Sequence, residues 1–246
     1  MESNLEVPAC ALAVGAHPDD VEFGCGGTLA KWAANGCEIF HLICTDGSKG
    51  TWDPGTDPAE LVVTRRNEQK AASIALGGKG EVIFLGWPDG ELESGLRQRI
   101  GIVSAIRKTR PDVVLGHDPW KRYRLHPDHR NAGFLLTDGI VAARDPLFFP
   151  ELGDPPHRPA TLLLFEADDP DHLEDVSDFV DAKLEALLRH ESQLRSTMGI
   201  GRADAVSDAE SAEVLDFKRR VIDRLAEQGR EVGLAAAEAF KRIDKL

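Results

Sequence analysis

The chain has 246 residues, enough for one substantial α/β domain or for a main domain with a small appendage. A hydrophobic content of 42% and a charged content of 29% are those of an ordinary soluble globular protein. The formal net charge of −13 argues against a nucleic-acid or anionic-membrane surface, which needs a basic face, but one local arginine could still receive a small anionic substrate.

Met1-Glu2 opens on an acid, and the apolar run from Val7 to Ala16 ends in charged groups, so no targeting signal is read there. No stretch approaches the roughly 20 apolar residues that a membrane span needs. Cys10, Cys25, Cys37 and Cys44 contain no C-x-x-C pair and read as reduced, small apolar fillers of a cytoplasmic protein.

Strand-like apolar runs fall at 10–16, 38–46, 81–87 and 112–117. Helical patterns lie between them at 26–36, 59–77 and 93–109, and Gly36, Gly77 and Pro111 punctuate their ends. Near-continuous apolar strands alternating with helices predict a Rossmann-like, mostly parallel sheet with helices on both faces. Further on, a helix is expected over 127–143, a Pro-rich connection over 145–160, a strand over 161–167 and a helix over 178–192. The stretch 207–245 reads as one or two charged helices. No linker divides the chain, so 1–246 is taken as one domain, with a core of 8–145 and a C-terminal strand and helices in 156–246.

Functional groups of an open α/β sheet collect beyond the carboxyl ends of its strands. Strand 10–16 ends in His17-Pro18-Asp19-Asp20, and strand 112–117 is followed by "RLHPDHR" with His126, Asp128 and His129. Taken singly, Pro-Asp-Asp is a turn with a helix N-cap, and a histidine pair is surface or satisfied core. The combination says more. His126 and His129 are three apart around Pro127, which suits the first turn of a helix, and His17 and Asp20 have the same spacing. Three protein ligands with an open position are what a catalytic zinc requires, and a zinc-bound water then needs a base and a proton donor beside it.

The stretches "AHPDDVEFGCGGTLAKW" and "RLHPDHR" resemble the PIG-L/LmbE-like zinc-dependent N-deacetylases, a family that includes deacetylases acting on N-acetylglucosaminyl-phosphatidylinositol and in mycothiol and bacillithiol biosynthesis. The likeness extends over "TRRNEQKAASIALG", "LGWPDGEL", "PHRPATLLLFEAD", "KLEALLRHESQ" and "EVGLAAAEAF". It implies that His17, Asp20 and His129 bind Zn²⁺, with Fe²⁺ or Co²⁺ able to substitute. It further implies Asp19 as general base, His126 as oxyanion stabiliser or proton donor, and Asp128 as a carboxylate orienting an imidazole. Arg65, with Arg66 beside it, matches a family arginine near the substrate. Asp89 in "WPDGEL" is a candidate for the substrate hydroxyls, although Pro-Asp-Gly is also a common turn.

Val21 stands where many relatives have Glu, which leaves Glu22 without a role. Gly24-Cys25-Gly26-Gly27 reads as close backbone approach or a tight helix start, since an acidic turn would repel a phosphate. His117 could stand behind the site, and His41 and His190 read as structural. The implied substrate is a small N-acetylated sugar conjugate, with loops 47–60, 119–125 and 144–160 setting the choice, and some relatives form trimers or hexamers. A non-sugar amidohydrolase and a silent metal- or nucleotide-binding module are the other readings.

Overall fold

A computed structural model describes residues 2–201 and 211–246. In chain order its elements are β1 (Glu2–Ser3), β2 (Cys10–Gly15), α1 (Asp20–Ala34), β3 (Glu38–Thr45), α2 (Pro58–Ala75) and β4 (Val82–Trp87). Then come α3 (Leu96–Thr109), β5 (Val113–His117), α4 (Pro127–Arg144), β6 (Thr161–Phe165), β7 (His172–Asp175), α5 (Val180–Leu188), α6 (Ala212–Arg230) and β8 (Ala237–Asp244). The eight strands form one sheet in the order β1-β7-β8-β6-β5-β2-β3-β4.

Strands β2 to β6 pair in parallel, and all but the half-buried edge strand β4 are covered on two faces. Leu12 and Val14 pack with Ile102, Ile106 and Leu136 from α3 and α4. Ala11 and Ala13, pointing the other way, pack with Leu29, Trp32 and Ala72 from α1 and α2. That double burial is why these strands read as unbroken apolar runs.

From β2 the chain winds outward to β3 and β4, then returns to place β5 on the other side of β2. The order therefore reverses between β2 and β5, and the crevice at their carboxyl ends is where such sheets place ligands. His17 leaves β2 and His117 ends β5 at that point.

The stretch 207–245 is not all helical. Within it 207–210 lie outside the described residues, α6 accounts for a helix, and β8 is a strand antiparallel to both β6 and β7. "AEAFKRID" is rich in helix formers, and pairing on both edges overrides that preference. β1 and β7 are further strands that no pattern announced. The helix expected over 178–192 is shorter, with α5 ending at Leu188.

Helix α1 starts at Asp20, earlier than expected, and carries a kink where Cys25 has φ −150° and ψ 21°. A Cβ on Gly24 would lie 2.7 Å from the Phe165 ring, and one on Gly27 2.9 Å from Val176, so these glycines serve close approach. Past the kink, Glu238 of β8 accepts from Gly27 N at 2.9 Å and Thr28 N at 2.7 Å, and Lys183 Nζ lies 2.6 Å from it. A buried carboxylate thus caps the second half of the helix whose first half carries Asp20. Glu238→Ala would leave a buried lysine and two amides without this partner, so we expect a loss of about 3 kcal/mol or more, read by urea unfolding. A midpoint and slope equal to the parent would refute the clamp.

Candidate metal and catalytic site

The turn after β2 is strained. Asp19 has φ 101°, a region costly for any residue but glycine, and such strain persists where surrounding contacts over-determine it. Asp19 occupies the N-cap position of α1, yet its side chain makes no capping bond. Asp20, next in the chain, accepts from the backbone N–H of His17 at 2.7 Å.

Two imidazole nitrogens and the two oxygens of one carboxylate converge here. His17 Nδ1 lies 3.2 Å from His129 Nε2 and 3.4 Å from Asp20 Oδ2, and His129 Nε2 lies 3.3 Å from Asp20 Oδ1. A tetrahedral ion with bonds of about 2.0–2.1 Å spaces its ligands about 3.3–3.4 Å apart, so these separations are those of a zinc-sized site. Two groups of possible ligands share two members each with this trio, His126 joining His17 and His129 in one and His117 joining Asp20 and His129 in the other.

The far sides of His17 and Asp20 are also engaged. His17 Nε2 faces Asp128 Oδ2 at 3.1 Å and Asp89 Oδ1 at 3.2 Å, which fixes a proton on Nε2 and turns Nδ1 toward His129 and Asp20. Asp128 is fully buried and is itself held by Gly90 N at 2.6 Å and Leu92 N at 3.1 Å. His117 Nε2 stands 3.2 Å behind Asp20 Oδ2, and its Nδ1 lies 3.5 Å from Glu166, which also pairs with Arg124.

The charge of the pocket suits a cation. Burial opposes a proton on His17, but Asp128, Asp20 and Asp89 together hold its pKa well above the ordinary value. Burial pushes His129 down to about 4, so it is neutral at pH 7 and able to ligate. Burial likewise raises Asp20, yet His129 and His117 bring it well below the usual carboxylate range. Asp19 goes the other way: burial, and then Asp20 against the opposing Arg65, lift it to about 6.

His126 precedes Pro127 at the N-terminus of α4, and its exposed ring stacks on His129 with centroids 4.8 Å apart. Burial and the nearby His17 lower its pKa, so it faces the cleft as a neutral imidazole. His17, Asp19, Asp20, His126 and His129 all line one open cleft of about 540 Å³, together with Arg65, Asp89 and Lys49.

Arg65 and Arg66 part company. Arg65 is 2% exposed and donates to Pro18 O at 2.6 Å and Gly47 O at 2.9 Å, with Asp19 Oδ2 at 3.6 Å. Arg66 turns away over the Phe84 ring. Asp89 touches the cleft but is 6% exposed and spends its oxygens on His17 and Lys49 N.

Sequence reading passed over a polar group behind Asp19. Gln69 Oε1 accepts from Asp19 N at 3.0 Å, and Gln69 Nε2 donates to Glu22 Oε1 at 2.7 Å. His41 and His190, both fully buried, complete the group against Glu22. The signal was present on α2: Leu61, Arg65, Gln69 and Ala72 follow core spacing, so two polar residues occupy apolar positions.

A family model described as PIG-L, GlcNAc-PI de-N-acetylase, matches residues 12–140. The diacetylchitobiose deacetylase of Thermococcus kodakarensis is 38% identical over 185 residues, covering 74% of this chain and 69% of that protein. The 1D-myo-inositol 2-acetamido-2-deoxy-alpha-D-glucopyranoside deacetylase of Streptomyces avermitilis is 32% identical over 168 residues, covering 58% of this chain and 57% of its own length. Among solved structures, the N,N'-diacetylchitobiose deacetylase of Pyrococcus horikoshii in complex with the inhibitor MPG aligns with a TM-score of 0.83 at 27% identity, over 96% of this chain and 84% of that one. The chain belongs to the PIG-L family of GlcNAc-PI de-N-acetylases.

Proposed function

We propose that the protein is a zinc-dependent N-deacetylase that removes acetate from an N-acetylglucosamine-like unit of a small sugar conjugate. The observation that carries this reading is the trio His17 Nδ1, Asp20 and His129 Nε2 at 3.2–3.4 Å spacing, with Asp19 and His126 on the same cleft. Two imidazoles and one carboxylate are a donor set that zinc takes in open, catalytic sites. Iron(II) or cobalt(II) would also be accepted, since nitrogen and oxygen ligands discriminate poorly among them. Such an ion supplies Lewis acidity toward an amide carbonyl and acidifies a water.

The chain's own residues supply the rest. Asp19 accepts the proton of the water that attacks the acetyl carbon, as a general base. His126, neutral and at the cleft mouth, hydrogen-bonds the oxyanion through its ring N–H, and Asp19 passes the proton it took from the water to the departing nitrogen. The C–N bond then breaks, the water's oxygen leaves in acetate, and the nitrogen departs as a free amine. Asp128 keeps His17 in the tautomer that ligates. Arg65, with its fork on Pro18 O and Gly47 O, steadies the turn that bears Asp19. The four cysteines, all free thiols, suit a reducing compartment, and no helix among the described residues is long and apolar enough to cross a membrane.

The test is acetate and free amine released from N-acetylglucosamine, diacetylchitobiose and N-acetylglucosaminyl-inositol by zinc-loaded protein. One amine per acetate, abolished by chelation and restored by zinc, is the expected result. A fully metal-loaded protein that releases acetate from none of them would overturn the reading.

A further inference from the structure

Asp19 must be held in a costly backbone conformation, φ 101°, and still present its carboxylate to the cleft. Its own side chain gives the turn no help, because it makes no capping bond. What grips the backbone is Gln69, whose Oε1 accepts from Asp19 N at 3.0 Å. Gln69 is fully buried and is not free to swing. Its Nε2 donates to Glu22 Oε1 at 2.7 Å and lies 3.2 Å from His41 Nδ1, while Glu22 Oε2 faces His190 Nε2 at 3.2 Å. Every member of this group is 0% exposed. A carboxylate buried so deeply costs stability unless its partners are complete, and here they end on one amide that bonds Asp19.

We propose that Gln69 is a positioning residue for Asp19, with the buried Glu22–His190 pair locking the Gln69 amide so that it can hold the strained turn. The inference rests on Asp19 being the general base. It gives Glu22 a task and turns His41 and His190 from isolated core histidines into parts of one support. Gln69 does not itself line the cleft, and the cleft residue it bonds is Asp19, through the backbone N–H.

A base displaced by about 1 Å loses rate on the order of 10²-fold. In zinc-loaded protein assayed well below its melting temperature, Gln69→Met should therefore lower kcat about 10- to 100-fold, with KM and metal content unchanged. The deciding measurement is the same substitution in an Asp19→Asn background. If Gln69 acts only through the base, the second substitution adds no further loss there. An equal fold-loss in both backgrounds, or a folded, metal-loaded Gln69→Met protein with the parent kcat, overturns the proposal. Should Gln69→Met not fold, Glu22→Ala and Glu22→Gln replace it. The glutamine keeps an acceptor for Gln69 Nε2 and should retain more kcat than the alanine, and equal kcat in the two would overturn the proposal. Failure of the underlying reading has a different signature, an Asp19→Asn protein that is fully active by itself.

Discussion

Asp19→Asn is expected to fold, to bind its metal, and to release acetate about 10²–10⁴-fold more slowly than the parent. The asparagine keeps the size of the side chain and one acceptor oxygen but cannot take a proton. Nothing in the ligand trio depends on it, because the three close donor separations involve only His17, Asp20 and His129. The backbone bond from Asp19 N to Gln69 survives the change as well. A pH profile gives an independent check. With burial lifting the Asp19 carboxyl to about 6, acidification protonates the base, and a cation beside it moves that midpoint down. The parent should lose kcat on the acid side with a midpoint at or below about 6, and the asparagine variant should lose that limb. A metal-free Asp19→Asn protein, or a metal-replete and fully active one, would remove Asp19 from the role.

Asp20→Ala should fail in the opposite manner, by losing the metal. Its carboxylate meets His17, His129 and His117 together, at 3.4, 3.3 and 3.2 Å. Substituting a partner behind a ligand costs roughly 10–100-fold in metal affinity, so a ligand should cost more than that. His117→Ala supplies the comparison, since His117 stands behind Asp20. Competition with a chromogenic chelator should rank the parent first, His117→Ala second and Asp20→Ala last. Acid should weaken all three, because His17, whose pKa the carboxylates hold well above its ordinary value, must give up its extra proton before a cation enters. Stoichiometric zinc in Asp20→Ala after dialysis would take Asp20 out of the ligand set.

The parts of this molecule that could be read from the chain are those where local pattern and tertiary demand agree. The strands β2, β3 and β5 are buried on both faces and carry no polar alternation, so their runs announce themselves. His17 to Asp20 and His126 to His129 sit at strand and helix ends, where a short spacing is also a spatial one. β8 was illegible because "AEAFKRID" favours a helix when alone and becomes a strand only between β6 and β7. Asp89 resembled an ordinary turn acid, and only the fold carries it to 3.2 Å from His17 Nε2. Gln69 and Glu22 lie 47 residues apart, and no local rule joins two polar residues over such a distance. Core spacing on α2 did mark Gln69 as out of place, which is the kind of inconsistency that functional sites produce.

The position of β8 also bears on the order in which the protein becomes complete during synthesis. Every other described element leaves the ribosome before it, yet β8 fills an interior slot, with β1 and β7 joined to the remaining strands only across it. Until it arrives, β6 presents an open edge, the Gly27 and Thr28 amides lack the Glu238 carboxylate, and α1 is secured at its first half alone. An open edge invites pairing with other chains, so the nascent protein passes through an interval of exposure that ends when β8 is inserted. Competence to bind metal should then appear with β8, although the candidate ligands all lie within the first 129 residues.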